Sequence, residues 1–175
     1  MDFHLNSLLN LPNTTVFTCY KEAGFIFLHL QLINEGINCP NCQSYTDTVH
    51  QTSHILIRDL SIIGAGVYLK VPRRKFYCNN CQKYPTEQLA WVENRQRFTQ
   101  RYQKYIYERV SVAGPPQRKE SSCEQVSRSE DVSTDQIQRI FSRVAETELK
   151  KSGCAPAFVP RRFSAPSKTR EHLNA

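Results

Sequence analysis

Nowhere in this 175-residue chain is there an apolar run long enough to cross a bilayer. The most apolar stretch, Gly24 to Ile33, is interrupted by His29 and Gln31, well short of the ~20 residues a spanning helix needs. No membrane association is therefore expected. The amino terminus, Met1-Asp2-Phe3-His4, has no basic region ahead of an apolar segment, so no secretory signal is read. Apolar residues are also scarce, at 39%, against ~45–50% in ordinary globular domains. Small modules in series are expected rather than one large core. Disulfides are disfavoured too: the cysteines number seven, an odd count that cannot pair completely within the chain. A reducing cytoplasm fits that usage, and there paired cysteines usually mean metal. No internal repeat is evident. No nucleophile–base pair and no open metal site can be placed, so an enzyme has the least support, and no small-molecule substrate is expected.

What is present is positive charge, unevenly spread. The net charge is +7, which makes an acidic partner plausible, nucleic acid being the commonest. Residues 1–66 carry −3, residues 67–91 carry +4, residues 92–119 carry +5, residues 120–149 carry −4 and residues 150–175 carry +5. Residues 25–33 alternate as a strand, and Val67 to Lys75 as a second, preceded by a turn at Gly64 and Gly66. Pro72 cannot donate to a ladder, so that second strand is expected at an edge or bulged. From Arg95 the period becomes helical, with Phe98, Tyr102, Tyr105, Ile106 and Val110 on one face and Arg97, Arg101, Lys104 and Arg109 elsewhere. Gly114-Pro115-Pro116 ends that helix. A second helical region runs from about Glu124 to Leu149, broken near Asp131, and the Pro-rich, basic tail reads as disordered.

Cys39-Pro-Asn-Cys42 and Cys78-Asn-Asn-Cys81 are two Cys-x-x-Cys pairs. Each offers two thiolates from a tight turn, and together they complete a tetrahedral Zn²⁺ shell with no position left for water. Such a site is structural, one Zn²⁺ per chain, rather than catalytic. A redox motif would need one pair inside a βαβ pattern, which is missing. Cys19, Cys123 and Cys154 lie alone and read as ordinary small residues. His50 and His54, between the pairs, read as surface or packing residues because the shell is already full.

The segment Glu124 to Phe141 has the layout of a helix-turn-helix. Val126 anchors the first helix, small Ser127 permits close approach, Val132 fills the corner, and Ser133 with Gln136 reads as a capping box. Ile137, Ile140, Phe141 and Val144 form the buried face of the second helix. Thr134, Asp135, Gln138, Arg139 and Ser142 then face outward, and Gln and Arg can read adenine and guanine edges. The turn position usually given to Gly is Asp131, a departure from the pattern. A plain helical hairpin with a polar outer face is the alternative. The basic segments around Lys70, Arg73, Arg74 and Lys75, and around Arg97, Arg101 and Lys104, interleave cations with aromatics as phosphate-binding surfaces do, and as solvated charged faces also do.

The order of these parts resembles the N-terminal zinc finger of the ISL-three family of bacterial insertion-sequence transposases. The resemblance is carried by the Cys-Pro-x-Cys pair, Arg58-Asp59-Leu60, the basic strand Arg73 to Cys78, the second Cys pair, and the Phe98 to Tyr102 and Val126 to Phe141 segments. It implies zinc on Cys39, Cys42, Cys78 and Cys81, and binding of the finger and helix-turn-helix to double-stranded DNA at an element's terminal inverted repeats. Lys70, Arg73, Arg74, Lys75, Arg97, Arg101, Lys104, Thr134, Gln138 and Arg139 are the candidate DNA contacts. The family continues into a catalytic carboxylate domain for which these residues leave too little sequence. The expectation is thus a truncated recognition half, bound to DNA in the bacterial cytoplasm at the nucleoid, with full-length transposase as a competitor for the same ends. A small zinc-ribbon transcriptional regulator and a zinc-stabilised protein-interaction module are the alternatives. The expected fold is α+β: a zinc-binding β-ribbon module over residues 1–91, a basic amphipathic helix over 92–113, a linker over 114–121, a helix-turn-helix over 122–149, and a disordered tail over 150–175.

Overall fold

A computed structural model describes residues 3–112 and 119–151. The Gly114-Pro115-Pro116 stop, Cys154 and nearly all of the Pro-rich tail lie outside these residues. The architecture is α+β. A short helix α1 (Phe3–Leu9) is followed by β1 (Thr14–Glu22), β2 (Phe25–Leu32), β3 (Ile37–Asn38), β4 (Tyr45–Thr46), β5 (Val49–Ile62) and β6 (Ala65–Phe76). Three helices follow: α2 (Gln100–Val112), α3 (Lys119–Glu130) and α4 (Thr134–Lys151). Among the described residues no helix is long and apolar enough to cross a membrane.

Four strands form one sheet in the order β1-β2-β6-β5. β1 and β2 are an antiparallel hairpin, as are β5 and β6, and the two hairpins join through a parallel β2–β6 pairing over Phe25–His29 and Gly66–Lys70. The β5–β6 turn holds Ile63 at φ 51° and Gly64 at φ 72°. Positive φ at both central residues matches the right-handed twist of the flanking strands. Ile63 is an expensive residue for that conformation, being β-branched, and its side chain is 99% exposed. Val16, Leu28, Leu30, Ile57, Val67, Leu69 and Val71 line one sheet face, with Leu9 and Trp91 packed in the same core.

Several expectations need revision. β6 is an interior strand rather than an edge strand. Pro72, however, sits past Lys70, where β2 has stopped flanking it and only β5 pairs in register. The missing N–H thus falls on a locally free side. The helix expected over 92–113 begins only at Gln100. Thr99 sets that start: its hydroxyl accepts from the Tyr102 N–H at 3.2 Å and its carbonyl from Gln103 at 3.0 Å. The preceding stretch is an irregular strap, with Arg95 at φ 63°. The third helix begins at Lys119 rather than Glu124, inside the stretch read as linker.

The three long helices share a second core. Tyr102, Ile106 and Val110 from α2 meet Cys123 and Val126 from α3 and Ile137 and Ile140 from α4, with Val132 buried in the corner. Leu60 of β5 reaches into this cluster.

Candidate metal centre and nucleic-acid interface

The two cysteine pairs fold into matching knuckles. In the first, Cys39 N–H donates to the Ser44 carbonyl at 2.9 Å and Gln43 N–H to the Cys39 carbonyl at 2.8 Å. In the second, Cys78 N–H donates to Lys83 at 2.9 Å and Gln82 N–H to Cys78 at 2.8 Å. The residue after each second cysteine is left-handed, Gln43 at φ 61° and Gln82 at φ 55°. β3 and β4 pair on either side of the first knuckle. The second follows directly from β6, so the β5–β6 hairpin brings the pairs together across the intervening sequence.

All four sulfurs lie within 4.8 Å of one another. Cys39 and Cys81 sulfurs are 3.6 Å apart, and Cys42 and Cys78 sulfurs 3.5 Å. A tetrahedral Zn–S₄ centre with bonds of about 2.3 Å places its sulfurs about 3.8 Å apart, so the shell fits one structural Zn²⁺. The surrounding backbone favours thiolates. Bonding from the Ser44 backbone, then its hydroxyl, pulls the Cys42 thiol down to about 6, and the Asn41 backbone lowers Cys39. Burial, reinforced by the neighbouring sulfurs, pushes Cys81 up to about 12. A divalent ion among the four sulfurs favours the thiolate form of each. Cys19 is exposed and Cys123 is buried among the helices. His50 and His54 are exposed on β5, with His50 4.5 Å from the Tyr84 ring.

The α3–α4 turn is fastened by its own side chains. Asp131 takes φ 53°, the conformation that Gly usually supplies and Asp tolerates better than most residues. Ser127 donates from its hydroxyl to the Val132 carbonyl at 2.6 Å, and its carbonyl accepts the Val132 N–H at 3.2 Å. The Thr134 hydroxyl donates to Ser127 Oγ at 3.2 Å, so it is partly spent in the turn. Ser133 caps α4, its hydroxyl accepting from Gln136 N–H at 3.4 Å. Asp135, Gln138, Arg139 and Ser142 are exposed along α4.

The basic residues divide into two groups. Arg73 and Arg97 are exposed, as is Lys104, whose ammonium stands 3.9 Å from Glu108. Lys70 is half-buried on β6, and the Lys75 ammonium lies 5.5 Å from the centre of the Tyr84 ring. Arg74 instead makes two bonds of 2.7 Å to the Glu87 carboxylate and one of 2.8 Å to the Asn34 carbonyl. Arg101 grips both oxygens of buried Asp59 and donates to the Leu9 carbonyl at 2.6 Å. These two guanidiniums hold the fold together. Sequence reasoning missed Asp59 and Glu87 as their partners, and Tyr84 as the ring beside Lys75. Glu87 and Tyr84 carried no usable signal, whereas Asp59 stood in the Arg58-Asp59-Leu60 segment.

A four-cysteine ribbon carried on a β-hairpin and joined to a three-helix helix-turn-helix unit defines a zinc-ribbon protein of α+β class. Residues 35–81 match the family described as the zinc-finger of transposase IS204/IS1001/IS1096/IS1165. Over these residues the chain is similar to the zinc ribbon of ISL3 transposases. It is also 40% identical over 63 residues to the transposase for insertion sequence element IS1001 from Bordetella parapertussis. That match covers 36% of this chain and 16% of the relative. No solved structure matches. The similarity falls on the zinc-ribbon region and not on a catalytic domain.

Proposed function

We propose that this chain binds duplex DNA sequence-specifically and supplies the end-recognition portion of a transposase, acting at the terminal inverted repeats of an insertion element. The observation that carries the reading is the fastened α3–α4 turn, which leaves Gln138 and Arg139 exposed about one turn past the α4 cap, where a helix in the major groove meets base edges. Lys70, Arg73, Lys75, Arg97 and Lys104 would contact phosphate, and Arg139 and Gln138 would read bases. Thr134 would contribute from the turn. In this reading the protein works in the bacterial cytoplasm on nucleoid DNA and competes there with full-length transposase.

These residues would not cut or join DNA by themselves. Two-metal phosphoryl transfer needs carboxylates gathered on a rigid scaffold. Asp59 is held by Arg101 and Thr99, Glu87 by Arg74, and Glu130 by Arg109 and Tyr105. Selection of bound sequences from random duplex DNA by the zinc-loaded chain tests the proposal. One preferred motif is the expected result. Binding without sequence preference at moderate salt would leave the helical unit as a packing or protein-binding element.

A further inference from the structure

The Arg58-Asp59-Leu60 segment is absorbed neither by the zinc shell nor by the recognition helix. Its three residues lie side by side on β5, yet each engages the helical unit or the strap leading into it. Arg58 Nη2 donates to the Glu130 carbonyl, the last residue of α3, at 3.1 Å. Its guanidinium is packed against the Phe25, Tyr68 and Tyr102 rings, 4.9–5.9 Å from their centres. Its backbone N–H donates to the Arg97 carbonyl at 2.8 Å and its carbonyl accepts from Thr99 at 3.0 Å. Asp59, 1% exposed, accepts from the Thr99 hydroxyl at 2.7 Å and from Arg101. Leu60 enters the helical core. Gly66 completes the seat, since a Cβ there would run into the Arg58 guanidinium.

The opposite end of the same hairpin bears the zinc knuckles. From Tyr68, paired with Arg58, to Lys75 is seven residues, and at about 3.3 Å per residue this is ~23 Å. One turn of B-DNA is ~34 Å, so the latch and the cluster lie less than a turn apart along the hairpin. Cationic and aromatic side chains cluster at the zinc end: Lys75 over Tyr84, Tyr77 5.2 Å from Tyr84, and exposed Lys83 bonded to Asn41. Residues 67–91 carry net charge +4, complementary to phosphate.

We infer that the β5–β6 hairpin is a rigid ruler, latched to the helix-turn-helix by Arg58, Asp59 and Leu60. The ruler places the Lys75–Lys83–Tyr84 cluster on duplex DNA at a fixed distance from the base pairs read by α4. Arg58 and Asp59 are positioning residues, and the site on DNA is bipartite with fixed spacing. This rests on the DNA-binding reading above and deepens it.

The test uses the full zinc-loaded chain and its selected duplex. The footprint should have two parts at one fixed spacing. Inserting five or ten base pairs between them should weaken binding on the order of 100-fold, the avidity lost when a rigid link cannot reach its second contact. Asp59→Asn and the milder Arg101→Lys should bind the uninterrupted site less tightly and be indifferent to insertion. Nuclear relaxation without DNA should give one tumbling time for hairpin and helices in the parent and two in the variants, with helix content unchanged by circular dichroism. A single-part footprint, parental tolerance of insertion, or variants that stay strict about spacing would overturn the ruler. One tumbling time in folded variants would overturn the latch. A chain that binds no preferred duplex would refute the DNA reading, and the relaxation result would still decide the latch.

Discussion

Four thiols within 4.8 Å of one another cannot all ionise without a cation among them, and at this site the conflict is visible in Cys42 held low and Cys81 held high. Zinc binding must therefore displace protons, so affinity falls as pH falls. Titrating metal into the reduced chain in weak buffer should release protons, and the Cys78→Ser chain should retain no zinc after gel filtration, as elemental analysis would show. The cysteines were legible in the sequence because their chemistry is local: spacing of two within each pair is what a knuckle requires. Gly66 reads from sequence as part of the turn, but it lies inside β6. Its actual constraint is the Arg58 guanidinium, a neighbour across the strand pair that no local pattern announces. Gly66→Ala should cost about 1–3 kcal/mol, as overpacking a full site does, measured as a lower denaturation midpoint. An unchanged midpoint would mean that Arg58 can move aside.

At the scale of elements, periodicity found those whose faces differ and missed those whose faces do not. β2 and β6 alternate cleanly because one side is core. β1 buries only Val16 and is bulged between Val16 and Thr18, so its pattern is erased. Val49 to His54 of β5 are exposed throughout, and only their pairing with β6 makes them a strand. That half of the hairpin has little burial to hold it, so chelation should accelerate amide exchange in the knuckles and in residues 49–54 first, and least around Leu69 and Ile57. Uniform exchange would show that the zinc supports the whole sheet. The helix-turn-helix was legible residue by residue, since Val126, Val132, Ile137 and Ile140 all enter the core. Ile137→Ala should lower stability by about 2–5 kcal/mol and weaken binding to every DNA sequence. Gln138→Ala should leave stability alone, cost roughly 1–3 kcal/mol on the preferred site and far less on random duplex. Equal losses on both duplexes for Gln138→Ala would remove it from base reading.

Across the whole molecule, the excess of positive charge was plain from composition, but the division of that charge between folding and binding was not. Arg73 and Arg74 are adjacent in one basic strand and look interchangeable in sequence. The fold separates them, because Glu87 lies 13 residues beyond Arg74 and meets it only when the chain returns after the second knuckle to run beside β6. Arg74 and Glu87 side chains are 14% and 6% exposed, so removing Arg74 strands a nearly buried carboxylate. Arg74→Ala should therefore lower stability by about 3 kcal/mol, and folded protein should keep its salt dependence of DNA binding. Arg73 is exposed. Arg73→Ala should leave the melting curve unchanged and make the plot of log affinity against log salt shallower by roughly 0.9, one counterion-releasing contact fewer. The two substitutions are matched in charge, size and position along the chain, so any difference between them comes from the tertiary fold. If Arg73→Ala left the slope unchanged, this strand would not be facing DNA, and the phosphate contacts would have to lie on Arg97, Lys104 and the helices.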